Sequence, residues 1–424
     1  MVDGSLRPAP YARHFAPPLL PDVGVVALVP DLWEDWWQSR HYILSRLATY
    51  FNVVWCNAAP SARPRRRGGY EVPDERAAYT LSTPPGFRVY DPPAWVPDFH
   101  RPALARIAMR RRFRAARRLL SDEGCSRIVL SVWRPIFAPA LELLPHDVSC
   151  YHIDDEYSFS PEDQPTGPAE SALISAVDQV FITSRGLIEK KGHLNPNSLF
   201  LPNGVDFGAY THPEPEPHDL GAIPHPRIGY VGLVKKQLDL ELLSALAKRH
   251  PDWSFVFVGP KRHQSEIAPM LGELARLPNV HFLGPKPRHL LAGYSQHLDA
   301  CMMCYKLDAY TRFIYPLKLH ESLAAGRPCV GSPIRTLEDF TSVVRLAGTL
   351  DEWSSALAAT LSDGAGSPER VRARLEQARA HDWDALVHRI ARTLTDRLGP
   401  EYTQRLDAAE AAREGAARGG DDGA

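Results

Sequence analysis

Cysteine is scarce, with six in 424 residues, at positions 56, 125, 150, 301, 304 and 329. So few thiols, so scattered, do not make a disulfide scaffold for a chain of this size, and they suit a reducing compartment. The C-x-x-C spacing of Cys301 and Cys304 lacks the second cysteine pair or spaced histidines of a zinc site. It lies inside an apolar run, where buried free thiols are the plain reading, so no metal ligands are expected. Net charge is equally scarce: 49 Lys+Arg against 50 Asp+Glu leave −1, without the basic excess of a general nucleic-acid binder. No apolar run approaches the roughly 20 residues that span a bilayer. The segment Met1–Pro21 has neither the basic-then-apolar layout nor the small-residue cleavage site of a signal peptide, so the expected location is the cytoplasm.

What is present is an ordinary globular composition, 44% hydrophobic and 23% charged. Apolar runs alternate with helical stretches, the pattern of an α/β fold built on parallel sheets. Val23–Val29, Phe51–Cys56, Arg127–Val132, Val148–Ile153 and Gln179–Thr183 read as strands, with a long surface excursion over 57–100 where Pro, Arg and Gly abound. The clearest break is Asp206–Arg227 (DFGAYTHPEPEPHDLGAIPHPR), whose composition suits an extended linker. The alternation restarts with strands at Arg227–Val231, Ser254–Val258, Asn279–Leu283, Ala300–Cys304 and Pro328–Gly331. The expected organisation is a first Rossmann-like domain over 1–206, a linker over 207–226 and a second such domain over 227–380. A helical region over 381–407 then packs back on the first domain, and 408–424 is a disordered tail. Parallel sheets bind ligands beyond the carboxyl ends of their strands, so the site is expected in the cleft between the halves.

The most informative segment is Arg312–Pro333, RFIYPLKLHESLAAGRPCVGSP. Pro316 suits a helix start, Gly326 its end, and Lys318 and Glu321 fall three apart on one face. A cation beside a helix start can hold phosphate, and a carboxylate one turn on can accept hydrogen bonds from sugar hydroxyls. A solvated ion pair is the plain alternative. Gly232 with Lys235 and Lys236 follows a strand, where glycine admits a phosphate close to the backbone and lysines offset its charge. A surface turn with solvated lysines is the competing reading. Asn203-Gly204 reads as a turn and hinge marker.

PLKLHESLAAGRPCV, together with SLFLPNGVDF, RIGYVGLVKKQLDLELLSALAKRHPDWSFVFVGP and NVHFLGPKPRHLLAGYSQHLDA, resembles the retaining GT-B glycosyltransferases of glycosyltransferase family 4, also called group 1. The likeness covers roughly residues 176–335. It implies two Rossmann-like domains, with the nucleotide-sugar donor held mainly by the second and the acceptor mainly by the first. It also implies transfer with retention, no metal or other cofactor, and a leaving phosphate that serves as base. Glu321 would hold the ribose or sugar of the donor, and Gly232, Lys235, Lys236 and Lys318 its diphosphate, with Lys236 favoured over Lys235. Metal-dependent glycosyltransferases of another fold use an Asp-x-Asp pair, and none stands in a suitable place. The family pattern has a second glutamate eight residues before the one matching Glu321; here that position is Phe313, and Asp308 is the candidate substitute. The usual arginine beside the glycine is Leu233, and a family histidine near the sugar is missing where Trp133 and Arg134 stand.

On the first domain Trp33, Trp36, Trp37, Arg40 and His41 lie between the first strand and its helix, where many relatives have a glycine-rich loop. Arg40 and His41 are candidates for contact with phosphate or acceptor, against a tryptophan-packed helix start with an ordinary arginine. Asp154 and Asp155 close another strand; pointing oppositely, one binds acceptor hydroxyls and the other caps the next segment. The catalytic candidates are thus Arg40, His41 and Asp155. The acceptor-side candidates are Trp37, Trp133, Arg134 and Asp154. Arg101–Arg118 holds eight arginines and no acid, which suits a peripheral contact with an anionic membrane or a solvated outer helix. Two alternatives to a transferase remain open: a nucleotide-sugar 2-epimerase of the same fold, and a catalytically silent partner subunit.

Overall fold

A computed structural model describes residues 16–35, 37–58, 83–93, 102–160, 162–262, 266–362 and 366–419. Trp36, Arg101, most of the excursion over 57–100 and the last five residues lie outside that set. Two parallel sheets carry the fold. The first has seven strands in the order β3-β2-β1-β4-β5-β6-β7. These are β1 Leu20–Leu28, β2 Phe51–Cys56, β3 Phe87–Tyr90, β4 Arg127–Val132, β5 Val148–Ile153, β6 Gln179–Ile182 and β7 Ser198–Phe200. The second has six, in the order β10-β9-β8-β11-β12-β13. Its strands are β8 Arg227–Val231, β9 Ser254–Val258, β10 Val280–Gly284, β11 Ala300–Met303, β12 Cys329–Gly331 and β13 Val344–Leu346. Every strand of β1, β2, β5, β6 and β9 is buried along its length or nearly so, which is why these segments read as continuous apolar runs.

Three expectations change. The excursion contains an edge strand, β3, paired with β2 from Val53–Phe87 to Cys56–Tyr90; four residues with one charge are too short to show a period. The expected linker is folded: helices Phe207–Thr211 and His218–Gly221 bury Phe207, Tyr210 and Leu220 in the core of the second domain, and Ile223, just past the second helix, joins them. Pro-rich composition masked four anchors spaced along it. The expected disordered tail is helical as far as Gly419, continuing the helix Pro400–Gly419, which buries Tyr402 and Leu406.

The chain crosses back once. After Pro368–Arg379 the helix Trp383–Leu398 lays Trp383, Leu386, Val387, Ile390, Ala391 and Leu394 against the first domain. At the crossing the Val205 amide donates to His381 O and the Trp383 amide to Val205 O, both at 3.0 Å. A Cβ on Gly204 would fall 2.6 Å from His381 O, so glycine is what lets the two passages touch. Arg46 pins the junction through Asp206 at 2.9 Å and Asp384 at 2.8 Å.

Candidate active site

In each sheet the strand order reverses beside its first strand, so the loops leaving β1 and β4, and those leaving β8 and β11, diverge and open a crevice. The two crevices face each other.

On the second domain β8 runs into Gly232, held at φ 153° with its amide donating to Val258 O at 2.7 Å. A Cβ there would lie 1.8 Å from Lys318 Cε and 2.5 Å from its Nζ. The glycine is thus the groove in which the lysine lies. Lys318 and Glu321 sit on one face of the helix Leu317–Ala324, which Pro316 opens and Gly326, at φ 70°, closes. Burial lowers the Lys318 pKa and Glu321 counters it; burial raises that of Glu321 and Lys318 counters it in turn. Gly232, Lys318 and Glu321 line one cavity of about 50 Å³ with Val231, Leu291 and Leu317, and with Trp37, Tyr42 and Arg288 closing it.

Of the two lysines after Gly232, the structure turns Lys235 into the cleft. Burial lowers its pKa, Asp155 of the first domain raises it, and Lys318 lowers it again, so it lies between the two. Lys236 points outward to Glu266 at 3.7 Å. The arrangement thus sets Lys235, and not the favoured Lys236, beside the charges of the cleft.

Asp308 does not replace the missing carboxylate in this cavity. It accepts from the Thr311 amide at 2.8 Å and borders a different depression of about 460 Å³ with Arg312, Arg335 and Glu338. Phe313 is buried in the core of the first domain. Around it the segment is stitched across the cleft: Tyr310 donates to Asp155 at 3.0 Å, Ser184 to Phe313 O at 2.7 Å, and Asn203 to Tyr315 O at 2.7 Å. At the position where the resemblance implied a carboxylate, this chain has a phenylalanine buried in the first domain.

On the first domain most candidates prove to be framework. Arg40 is 1% exposed, and its guanidinium is shared among Asp31, Asp154 and Gln38. Arg134 donates to the other Asp154 oxygen at 2.5 Å and lies over the Tyr157 ring. Burial would raise the Asp154 pKa, but Arg134 and Arg40 outweigh it and hold the carboxyl below its ordinary value. Arg40, Arg134 and Asp154 bind one another, and Arg40 and Asp154 are closed off by it, while the Arg134 side chain stays partly exposed.

His41 is fully buried among Trp33, Trp37 and Trp55. Its Nδ1 accepts from the Gln38 amide at 3.2 Å, and Nε2 lies 3.3 Å from Leu32 O. Burial and Arg40 keep it neutral, so it caps a helix and is corrected as a catalytic candidate. Trp133 is likewise core: it donates to Ser131 at 3.1 Å and stacks on His152 at 4.1 Å. Both readings failed for the same reason: a strand's carboxyl end holds the crevice floor as well as its lining.

Two first-domain candidates do face the cleft. Burial, with Asp154 adding to it, pushes the Asp155 pKa up to about 6, while Lys235 and Tyr310 oppose the shift. Trp37 meets the cavity of Lys318 and Glu321 instead of a separate acceptor surface. Tyr42, Leu291, Tyr310 and Arg288 were missed. Arg288 follows β10 within the segment that carries the family likeness, so its strand-end position was the available signal.

Residues 225–363 match the family described as Glycosyl transferases group 1. The chain is 31% identical over 170 residues to TuaH of Bacillus subtilis (strain 168), provisionally named a teichuronic acid biosynthesis glycosyltransferase; the match covers 39% of this chain and 42% of TuaH. It therefore spans less than half of that relative. Among solved structures, the trehalose-6-phosphate synthase OtsA superposes with a TM-score of 0.62 at 13% identity, over 89% of this chain and 98% of that one. WaaG, a glycosyltransferase involved in lipopolysaccharide biosynthesis, gives 0.54 at 13% identity, over 87% and 98%. Two facing Rossmann-like domains of this topology are the GT-B fold, and the match to the group 1 family falls within the second of them.

Proposed function

We propose that the protein is a glycosyltransferase that moves a sugar from a nucleotide-diphosphate-sugar donor to a hydroxyl-bearing acceptor. The observation that carries this reading is the meeting of Gly232, Lys318 and Glu321 on one cavity at the carboxyl ends of the second sheet, inside the matched segment. Lys318 and Lys235 lie where they offset the charge of a diphosphate, and Glu321 accepts hydrogen bonds from donor hydroxyls. In the reaction the bond from the anomeric carbon to the diphosphate oxygen breaks with its electron pair on the diphosphate. The acceptor oxygen bonds to the same carbon and its proton passes to the leaving phosphate. Retention and independence of metal belong to the proposal; Lys318 and Lys235, both of the second domain, would supply the charge that a metal otherwise provides. The acceptor is a glycan, a lipid-linked glycan or a small natural product.

A peripheral membrane contact is part of the same reading. In the helix Pro102–Asp122, Phe113, Ala116 and Leu120 turn inward, while Leu104 and Ile107 are 42% and 53% exposed among arginines. Such a face suits an anionic surface. Among the described residues no helix is long and apolar enough to cross a membrane.

The test is calorimetric titration with UDP, GDP, ADP and TDP, with and without EDTA. Selective binding of one diphosphate that survives EDTA and is weakened in Glu321→Ala is expected. Absence of binding by the folded protein would overturn the reading. Sedimentation with anionic vesicles at low salt tests the membrane contact, and no binding there would refute it.

A further inference from the structure

The cavity of Gly232, Lys318 and Glu321, at about 50 Å³, has room for a few waters. Nucleotide-sized ligands occupy clefts of roughly 300–1,000 Å³. What narrows it is a contact between domains. Arg288 opens the turn Arg288–Leu290 after β10. Its guanidinium carbon lies 3.5 Å from the ring centroid of Trp37 and 5.9 Å from that of Tyr42, both on the first domain. The indole is held by Trp33 at 5.3 Å, His41 at 5.5 Å and Tyr42 at 5.2 Å, so it is a fixed wall and not a loose cover. The Arg288 charge reaches the His41 ring, adding to the burial that keeps it neutral.

A guanidinium facing the same small cavity as Lys318 and a side-chain-free stretch of backbone has the planar fork that matches phosphate oxygens. Hydrogen bonds from that fork to a diphosphate are stronger than a cation–π contact with an indole. The geometry therefore sets two partners against each other for one cation. We propose that Arg288 binds the diphosphate of the ligand in this cavity, and that Trp37, from the facing domain, competes with the ligand for it. This rests on the nucleotide-sugar reading above. Binding would draw Arg288 off the indole and widen the cleft on that side. The opposite side stays closed, because Tyr310, Phe313 and Tyr315 are fastened to the first domain.

The test is calorimetry on the full chain with UDP, GDP, ADP and TDP, using Arg288→Ala, Arg288→Lys, Trp37→Ala, the double variant Trp37→Ala/Arg288→Ala, and Glu321→Ala, each verified as folded by circular dichroism. For the diphosphate that binds best, Arg288→Ala is expected to weaken binding about tenfold or more, with Arg288→Lys between it and the native chain. Trp37→Ala is expected to tighten binding about threefold to tenfold, and the double variant to bind no more tightly than Arg288→Ala. If Glu321→Ala weakens binding while Arg288→Ala leaves it unchanged, or if Trp37→Ala tightens it with Arg288 already removed, the competition is refuted and the nucleotide site stands. If neither the native chain nor Trp37→Ala binds any of the four, both readings fall.

Discussion

Arg40 and Lys318 occupy matching places. Each is the second residue of a helix that lines one side of the cleft, Ser39–Leu47 on the first domain and Leu317–Ala324 on the second. Arg40 is bound by two carboxylates and an amide, and Asp154 is bound in turn by Arg134. Lys318 lies in the groove left by Gly232, 5.7 Å from the Tyr230 ring, with Glu321 tempering its burial. The first cluster has closed its own charge balance and serves to hold β1, β4 and β5 together at their ends. The second holds one cation and one carboxylate, Lys318 and Glu321, and both face a cavity. Charge at a strand's end marks a binding group only when its partners leave it something to offer.

The sharpest way to break that comparison is to remove the shared carboxylate of the first cluster. Asp154→Ala leaves Arg40 and Arg134 buried without it and is expected to cost about 3–5 kcal/mol of stability, read from urea denaturation. Lys318→Ala should cost less by the same measurement, because Lys318 and Glu321 are only half-buried, and should abolish diphosphate binding instead. Equal destabilisation by both would erase the distinction. The lowered Asp154 pKa also fixes a sign: its stabilisation is present above the ordinary carboxyl value and is lost as pH falls below about 4.

Its neighbour has the opposite slope. With the Asp155 pKa raised to about 6, the folded state binds more protons than the unfolded one between about pH 4 and 6. Asp155 therefore favours folding at low pH, and that contribution declines as pH rises through 6. Asp155→Asn keeps an acceptor for Tyr310 and should flatten the decline in a denaturation series from pH 4 to 8. An unchanged profile would assign the slope elsewhere. Gly232→Ala comes next: the methyl group must displace Lys318, so diphosphate affinity should fall about tenfold with the melting temperature lowered by a few degrees.

The sheets were legible because buried parallel strands are continuous apolar runs, and the helix Leu317–Ala324 because proline and glycine bracket it. The short strand β3 and the folded segment between domains were not, since their hold comes from partners far along the chain. In the site, Gly232, Lys318 and Glu321 could be read from spacing and resemblance together. Arg40, His41, Trp133 and Asp154 could not be sorted from ligand-facing groups, because the partners that saturate them arrive from other strands: Asp154 reaches Arg40 across 114 residues. Phe313 was visible as a departure, but its burial depends on Ser184 and Lys190 of the other domain.

The smallest expected effect separates two adjacent lysines. Lys235 feels the charges of both Asp155 and Lys318, so its ammonium is within reach of groups from both domains. Lys236 is paired at 3.7 Å with Glu266, itself mostly exposed, and a surface pair at that distance is worth little. Lys235→Ala should weaken the best-bound diphosphate about threefold to tenfold, and Lys236→Ala by less than about twofold. High salt sharpens the contrast. A screened surface charge acts on a ligand only at low ionic strength, whereas a cation shielded from solvent keeps most of its effect. The Lys235→Ala loss should therefore persist at 0.5 M salt, while any Lys236→Ala loss disappears. If the two variants instead respond alike, the turn after Gly232 acts through net charge alone, and the assignment of Lys235 to the cleft fails.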